Sequence, residues 1–303
     1  MFKMICPPFL KKGDKIAIVA SARKISKAEL EPSFKIIKSY GFEIMYSNML
    51  FFGDNQFAGS DDIRAKELQQ MLDDSSVKAI FFARGGYGSV RIIDKLDFTS
   101  FVSNPKWLVG YSDITVFHNH VNRNFGIQTL HASMPINFAE NTKPALDSLF
   151  DVLYGRLPFY EFTANPFNNP GKIDGELVGG NLSVIYSLLG SNSFPETDGK
   201  ILFLEDLDEY LYHIDRMMMG LKRAGKLSNL AGLLVGAMTS MNDNAIPFGK
   251  TAEEIIRDTV SEYGYPICFN FPAGHIDENM ALLMGGKVSI NVSDLLSFLK
   301  FSE

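Results

Sequence analysis

Cysteine is scarce in this sequence: two among 303 residues, Cys6 and Cys268, with no CxxC pair and no Cys/His cluster at metal-ligand spacing. Neither a disulfide framework nor a zinc site can be read from that, and the expectation is a reduced, cytoplasmic protein with no metal and no cofactor. A basic excess is missing as well. Lys and Arg number 29 against 35 Asp and Glu, a net charge of −6, which argues against a general nucleic-acid binder. Long hydrophobic runs are absent. The longest strongly apolar stretch, Leu230 to Met238, is nine residues with two glycines, and a bilayer crossing takes about 20. Met1 to Pro8 runs at once into Lys11-Lys12-Gly13-Asp14, which leaves no room for a signal-peptide core. What remains is 46% hydrophobic and 21% charged residues, enough to bury a large core, on a chain of about two domains' length.

The first half alternates short apolar runs with amphipathic segments. Lys15 to Ala20, Phe42 to Tyr46, Val77 to Ala83 and Trp107 to Tyr111 read as strands. Between them, Ser26 opens a helix closed by Gly41, Ser60 caps another, and a helical pattern runs from Asp113 to Asn124. This β-α-β-α rhythm predicts an open parallel α/β sheet with helices on both faces, whose function gathers at the carboxyl ends of its strands. From Leu157 to Gly171, three prolines, three asparagines and scattered aromatics leave no visible period, so residues 157–171 are expected to be a linker. It would join an N-terminal domain, 1–156, to a C-terminal one, 172–303. The second half mixes strands at Ile201 to Glu205, Leu230 to Met238 and Lys287 to Val292 with helices at Glu209 to Ala224 and Ala252 to Tyr263. Thr251 and Glu254 form a capping-box pair for the latter helix.

Two strand-to-helix corners carry candidate chemistry. In Gly110-Tyr111-Ser112-Asp113 a serine follows a strand, the logic of a nucleophile elbow, although Ile114 stands where the usual elbow has its second glycine. Ser112 is a nucleophile or simply a helix N-cap. In Arg84-Gly85-Gly86-Tyr87-Gly88 consecutive glycines let backbone N–H groups approach an anion or a developing oxyanion, or merely make a turn. A dinucleotide fingerprint would need glycine at position 91, where Arg91 stands. A serine nucleophile also needs a base and an orienting acid. His118 and His120 run away from the helix start, and His213 lies within an amphipathic helix. His131 stays open, and His275, in Phe271-Pro-Ala-Gly-His-Ile-Asp277, is mildly preferred as a loop residue. Glu205, closing an apolar strand, is the best orienting acid. Asp206, Asp208 and Glu209 are accounted for by the following helix start.

Five segments taken together resemble the serine LD-carboxypeptidases, the family of muramoyl-tetrapeptide carboxypeptidases and microcin C immunity peptidases. They are Arg84-Gly-Gly-Tyr-Gly-Ser89 with Arg91, Gly110-Tyr-Ser-Asp-Ile-Thr115, Gly175-Glu-Leu-Val-Gly-Gly-Asn-Leu182, Leu202-Phe-Leu-Glu-Asp206 with Ile214-Asp-Arg216, and Gly274-His275. They stand in the family's order and the resemblance spans about residues 12 to 292. One departure is Ala281-Leu-Leu-Met-Gly285, with leucine where relatives often have proline, which bears on pocket shape. The resemblance implies a parallel α/β N-terminal domain and a mainly β C-terminal domain (β/α), with the site in the cleft between them. It places the catalytic serine on Ser112, the glutamate on Glu205 and the histidine on His275. Backbone N–H groups of Asp113 and of Gly85 or Gly86 would then form the oxyanion hole, and Arg84, Tyr87 or Arg216 would contact substrate.

The activity so implied is removal of the terminal D-alanine from cytoplasmic murein tetrapeptides during peptidoglycan recycling, by a homodimer that binds a small peptide and neither nucleic acid nor membrane. Two other readings stand beside it. The same triad could hydrolyse aminoacyl- or peptidyl-nucleotide antibiotics, as the microcin immunity branch does. Alternatively the chain is a non-catalytic small-ligand-binding α/β protein.

Overall fold

The computed structural model describes residues 4–302, and they form two sheets. The first is built from β1 (Lys15–Val19), β2 (Glu43–Met45), β3 (Val77–Phe82), β4 (Trp107–Gly110) and β5 (Thr129–His131), paired in parallel in the order β5-β4-β3-β1-β2. Strand alternation sorts its side chains. Ile16 and Ile18 of β1 enter one core with Leu30 and Ile37 of helix α1 (Lys27–Ser39), while Ala17 and Val19 enter the other with Leu68 and Leu72 of helix α2 (Asp61–Asp73). The expected helix starts are realised. Ser26 and Glu29 form a reciprocal capping box on α1, and the Ser60 hydroxyl accepts from the Ile63 N–H at the start of α2. Helices thus cover both faces, as a parallel sheet requires.

After the short helix α3 (Thr99–Ser103), helix α4 (Thr115–Phe125) follows β4, and α5 (Lys143–Leu153) closes this half. The segment expected as a linker is not featureless. It contains strand β6, Phe159–Thr163, with Tyr160 and Phe162 buried and their neighbours exposed. Aromatics on both faces of the strand hid that alternation in the sequence.

The second sheet is mixed. β7 (Gly171–Asn181), β8 (Ile201–Leu207), β9 (Gly232–Thr239) and β10 (Ile267–Cys268) pair in parallel. On the other side of β7, β12 (Lys287–Val292), β13 (Leu296–Ser302) and β6 are antiparallel. The short helix α6 (Leu182–Ser187) leads from β7, α7 (Leu211–Arg223) follows β8, and α8 (Ala252–Val260) carries the Thr251–Glu254 capping box.

Two features join the halves. Strand β11 (Leu282–Met284) leaves the C-terminal half to become the antiparallel edge of the first sheet, beside β5. Helix α4 lies against the Gly179-Gly180-Asn181 end of β7. A Cβ on Gly180 would come within 2.5 Å of Thr115 Oγ1, and Thr115 Oγ1 accepts the Asn181 N–H at 3.0 Å. Asn119 exchanges hydrogen bonds with the backbone of Gly179 at 2.9 and 3.3 Å. Glycine is needed here because a side chain would push the second sheet off α4.

Candidate active site

Ser112 stands where β4 ends and the turn into α4 begins. Its φ is +62°, an uncommon conformation for a residue with a Cβ, so local strain of about 1–3 kcal/mol is held by the surrounding fold. The simple helix-cap account does not describe it: Ser112 is the first residue of a tight turn whose cap position is Tyr111. The turn is bolted to the glycine-rich loop. Asp113, nearly fully buried, accepts the Ser89 N–H at 2.8 Å. Burial raises the Asp113 pKa, with the Ser89 and Gly88 bonds and the Arg64 charge pulling the other way. Arg64, also buried, donates to the carbonyls of Ser21 and Gly88. The loop itself is followed by short 3-10 turns rather than the helix its position suggested.

Gly85 lies directly against the serine. A Cβ there would be 3.1 Å from both Cβ and Oγ of Ser112. Gly86, at φ +111°, is exposed and lies under the Arg23 side chain. Loops from the carboxyl ends of β1, β3 and β4 therefore converge on Ser112, where an open α/β sheet places its ligands.

The second sheet brings a carboxylate and an imidazole to the same region. Glu205, fully buried near the end of β8, holds His275 Nδ1 through Oε2 at 2.7 Å. Burial works against protonation of His275, but the charge and hydrogen bond of Glu205, with Asp206 behind it, outweigh that and raise its pKa. The turn that presents His275 is shaped for this contact. Gly274 has φ +118°, and a Cβ on it would stand 2.7 Å from Glu205 Oε2. Its N–H is held at 2.8 Å by Oδ1 of Asn279, a buried residue that nothing in the sequence separates from any loop asparagine.

His275 also packs on Tyr111, the neighbour of Ser112, with ring centroids 4.8 Å apart. Tyr111 and His275 line one cleft of about 230 Å³ together with Asn137, Glu140, Leu207 and Asp277. The cleft thus joins groups from both sheets. Asp206 plays a different part: its carboxylate accepts from Asn181 Nδ2 and from the Ser183 N–H at the start of α6, and burial raises its pKa to about 7.

Among the described residues no other histidine is bonded to Glu205. His131 is fully buried under Tyr111 and Phe203, and burial holds its pKa far below the usual value. His118 bridges Thr129 and the Gly110 carbonyl, His120 bonds Ser193, and His213 bonds Glu209. Of the residues named for substrate contact, Arg84 reaches the Lys24 carbonyl at 3.2 Å and Glu29 at 3.8 Å, and Arg216 stacks on Tyr212 at 5.1 Å. Tyr87 is half exposed and tilts against Phe57. No group of three or more His, Cys, Asp or Glu side chains suited to a metal occurs among the described residues.

Comparison with known proteins places the chain in a family. Family models described as the LD-carboxypeptidase N-terminal and C-terminal domains match residues 16–132 and 174–290. The chain belongs to the LD-carboxypeptidase family. This LD-carboxypeptidase is 33% identical over 297 residues to a probable murein peptide carboxypeptidase of Bacillus subtilis, covering 95% of this chain and 92% of the relative. It is 32% identical over 292 residues to a putative carboxypeptidase of Synechocystis, covering 96% of each. Among solved structures, muramoyltetrapeptide carboxypeptidase from Oxalobacter formigenes superposes with a TM-score of 0.87 at 24% identity, covering 95% of this chain and 99% of that one. The microcin C7 self immunity protein MccF gives 0.87 at 19%, covering 97% and 98%. At these identities the two structures establish a shared two-domain fold. The protein is a peptidase of this family, with no helix among the described residues long and apolar enough to cross a membrane.

Proposed function

We propose that this LD-carboxypeptidase removes the terminal D-alanine of murein tetrapeptides, with Ser112 as nucleophile, His275 as general base and Glu205 as the orienting carboxylate. The observation that carries the reading is the contact of buried Glu205 with partly buried His275, 2.7 Å long, whose imidazole packs at a tilt against the residue preceding a serine held at φ +62°. Because Nδ1 is committed to Glu205, Nε2 is the nitrogen left to take the Ser112 proton as Oγ attacks the peptide carbonyl. The imidazolium that forms is stabilised by the Glu205 charge, and it then returns the proton to the leaving amine of D-alanine. Water, activated by the same imidazole, hydrolyses the acyl-enzyme.

The tetrahedral oxyanion would be held by the N–H of Asp113 and one from Gly85 or Gly86. Loss of one such donor costs about 10²–10³ in rate. Similarity to the probable murein peptide carboxypeptidase of Bacillus subtilis supports murein peptide as the substrate class. A cytoplasmic place in peptidoglycan recycling agrees with the two unpaired cysteines, Cys6 and Cys268. The homodimer rests on the family resemblance, and light scattering in solution tests it.

The deciding experiment is mass spectrometry of L-Ala-γ-D-Glu-meso-diaminopimelate-D-Ala incubated with wild type and with Ser112→Ala. Loss of one alanine with wild type alone supports substrate and nucleophile together. Cleavage by both proteins would remove Ser112 from the mechanism. Cleavage by neither would turn attention to aminoacyl-sulfamoyl nucleotides.

A further inference from the structure

An exocarboxypeptidase must recognise a free carboxylate, and that carboxylate lies only one residue beyond the bond being cut. Consecutive Cα atoms are about 3.8 Å apart, so the cation that reads the carboxylate must stand beside the nucleophile and its oxyanion site. Arg23 meets this requirement. It follows β1, and its backbone is fixed: Arg23 bridges Phe57, Lys24 N–H donates to Gln56 and Ala58 N–H donates to Ala22. Its side chain crosses Gly86. A Cβ on Gly86 would be 2.2 Å from Arg23 Cδ, 2.5 Å from Cγ and 3.5 Å from Nε. The adjacent glycine, Gly85, touches Ser112, its own Cβ position lying 3.1 Å from Oγ. Arg23 and Ser112 therefore flank one Gly85–Gly86 step, which is the span that an acyl group followed by a single carboxylate-bearing residue has to cover.

The other arginines near the glycine-rich loop are engaged. Arg84 turns to the Lys24 carbonyl and Glu29, and Arg64 and Arg91 are both tied to Asp61. Arg216 is stacked on Tyr212 of α7. Arg23 is exposed, and among the described residues no ion pair or side-chain hydrogen bond occupies its guanidinium. A planar fork of donors on a fixed backbone suits bidentate recognition of a carboxylate.

We propose that Arg23 binds the terminal carboxylate of the substrate and so makes the enzyme selective for peptides ending in a free acid. This rests on the reading of Ser112 as nucleophile. The experiment compares the tetrapeptide above with its C-terminal amide, using wild type, Arg23→Ala, Arg23→Lys, Arg84→Ala and Arg216→Ala. A charge-assisted hydrogen bond sets the expected size: Arg23→Ala lowers kcat/KM for the acid by about 10- to 100-fold, mainly through KM, and leaves the amide unchanged. Arg23→Lys recovers part of the selectivity, while Arg84→Ala and Arg216→Ala keep the wild-type acid-to-amide ratio. An unchanged ratio in Arg23→Ala, or its loss in either of the other two, overturns the assignment. Calorimetric binding of acid and amide to Ser112→Ala and to Ser112→Ala/Arg23→Ala repeats the comparison without turnover. Failure of the hydrolytic reading would appear as an inactive wild type, whereas failure of the Arg23 assignment would appear as equal loss of affinity for acid and amide, or none.

Discussion

Replacing Glu205 by glutamine separates the catalytic role proposed for the buried carboxylate from its effect on stability. The side chain is fully buried, its Oε2 holds His275 Nδ1 at 2.7 Å, and its Oε1 has no hydrogen-bond partner among the described residues. Glu205→Gln keeps the volume and removes the charge. Loss of an orienting triad carboxylate lowers kcat by up to about 10⁴. At about 1.36 kcal/mol per decade that is up to about 5.5 kcal/mol of transition-state stabilisation. The same change moves the acid limb of the pH–rate profile to lower pH, because Glu205 is what raises the His275 pKa against the effect of burial.

Stability responds to pH as well. The raised pKa of His275 means that the folded protein holds its proton more tightly than the unfolded chain does. The resulting stabilisation is complete below the unfolded value of about 6.5 and is lost as pH rises through the folded value. Glu205→Gln forfeits that contribution but also relieves the burial of a charge with an unpartnered oxygen. The variant should therefore compare better with wild type at pH 8 than at pH 5.5, where the forfeited contribution is complete. Tetrapeptide kinetics from pH 5 to 9 and thermal melts at the two pH values measure both. Activity within threefold of wild type, an unmoved acid limb, or a melting difference that ignores pH would refute the argument.

Other consequences are equally direct. Gly85→Ala should fold, since its φ is ordinary, yet lose at least about tenfold in kcat, because the new Cβ sits 3.1 Å from Ser112 Oγ; circular dichroism and steady-state kinetics check this. Asn279→Ala leaves the buried Gly274 N–H without its acceptor, which should cost about 1–3 kcal/mol in urea unfolding and lower kcat, with Asn279→Asp restoring part of both. Glu67 is buried against Ser47, and burial raises its pKa to about 7, so the folded state takes up a proton that the unfolded chain has already released. Stability should fall between about pH 4.3 and 7 on that account, and Glu67→Gln should flatten this slope and stabilise the protein at pH 8, as read by chemical denaturation.

Local order was written into the chain. Strand-length apolar runs specified β1, β3 and β4, and Ser26, Ser60 and Thr251 marked helix starts because a side-chain oxygen at that position accepts from the free N–H groups of the first turn. The position of Ser112 at a strand-to-helix corner was legible for the same reason, though its φ of +62° was not. Long-range facts were different. Nothing local distinguishes β6, with aromatics on both faces, from a linker, or shows that β11 crosses back to the first sheet, because pairing partners are chosen by the folded surface. The choice between His131 and His275 was also a tertiary one. A loop histidine becomes a candidate base only when a carboxylate 70 residues away reaches its Nδ1, and a strand histidine is withdrawn from candidacy when the packing of the two halves buries it completely. Sequence supplied the residue types and their local backbone geometry. Packing of α4 against Gly179 and Gly180 brings the second sheet, with Glu205, up to the half that carries Ser112, through contacts whose partners lie about 60 residues apart in the chain.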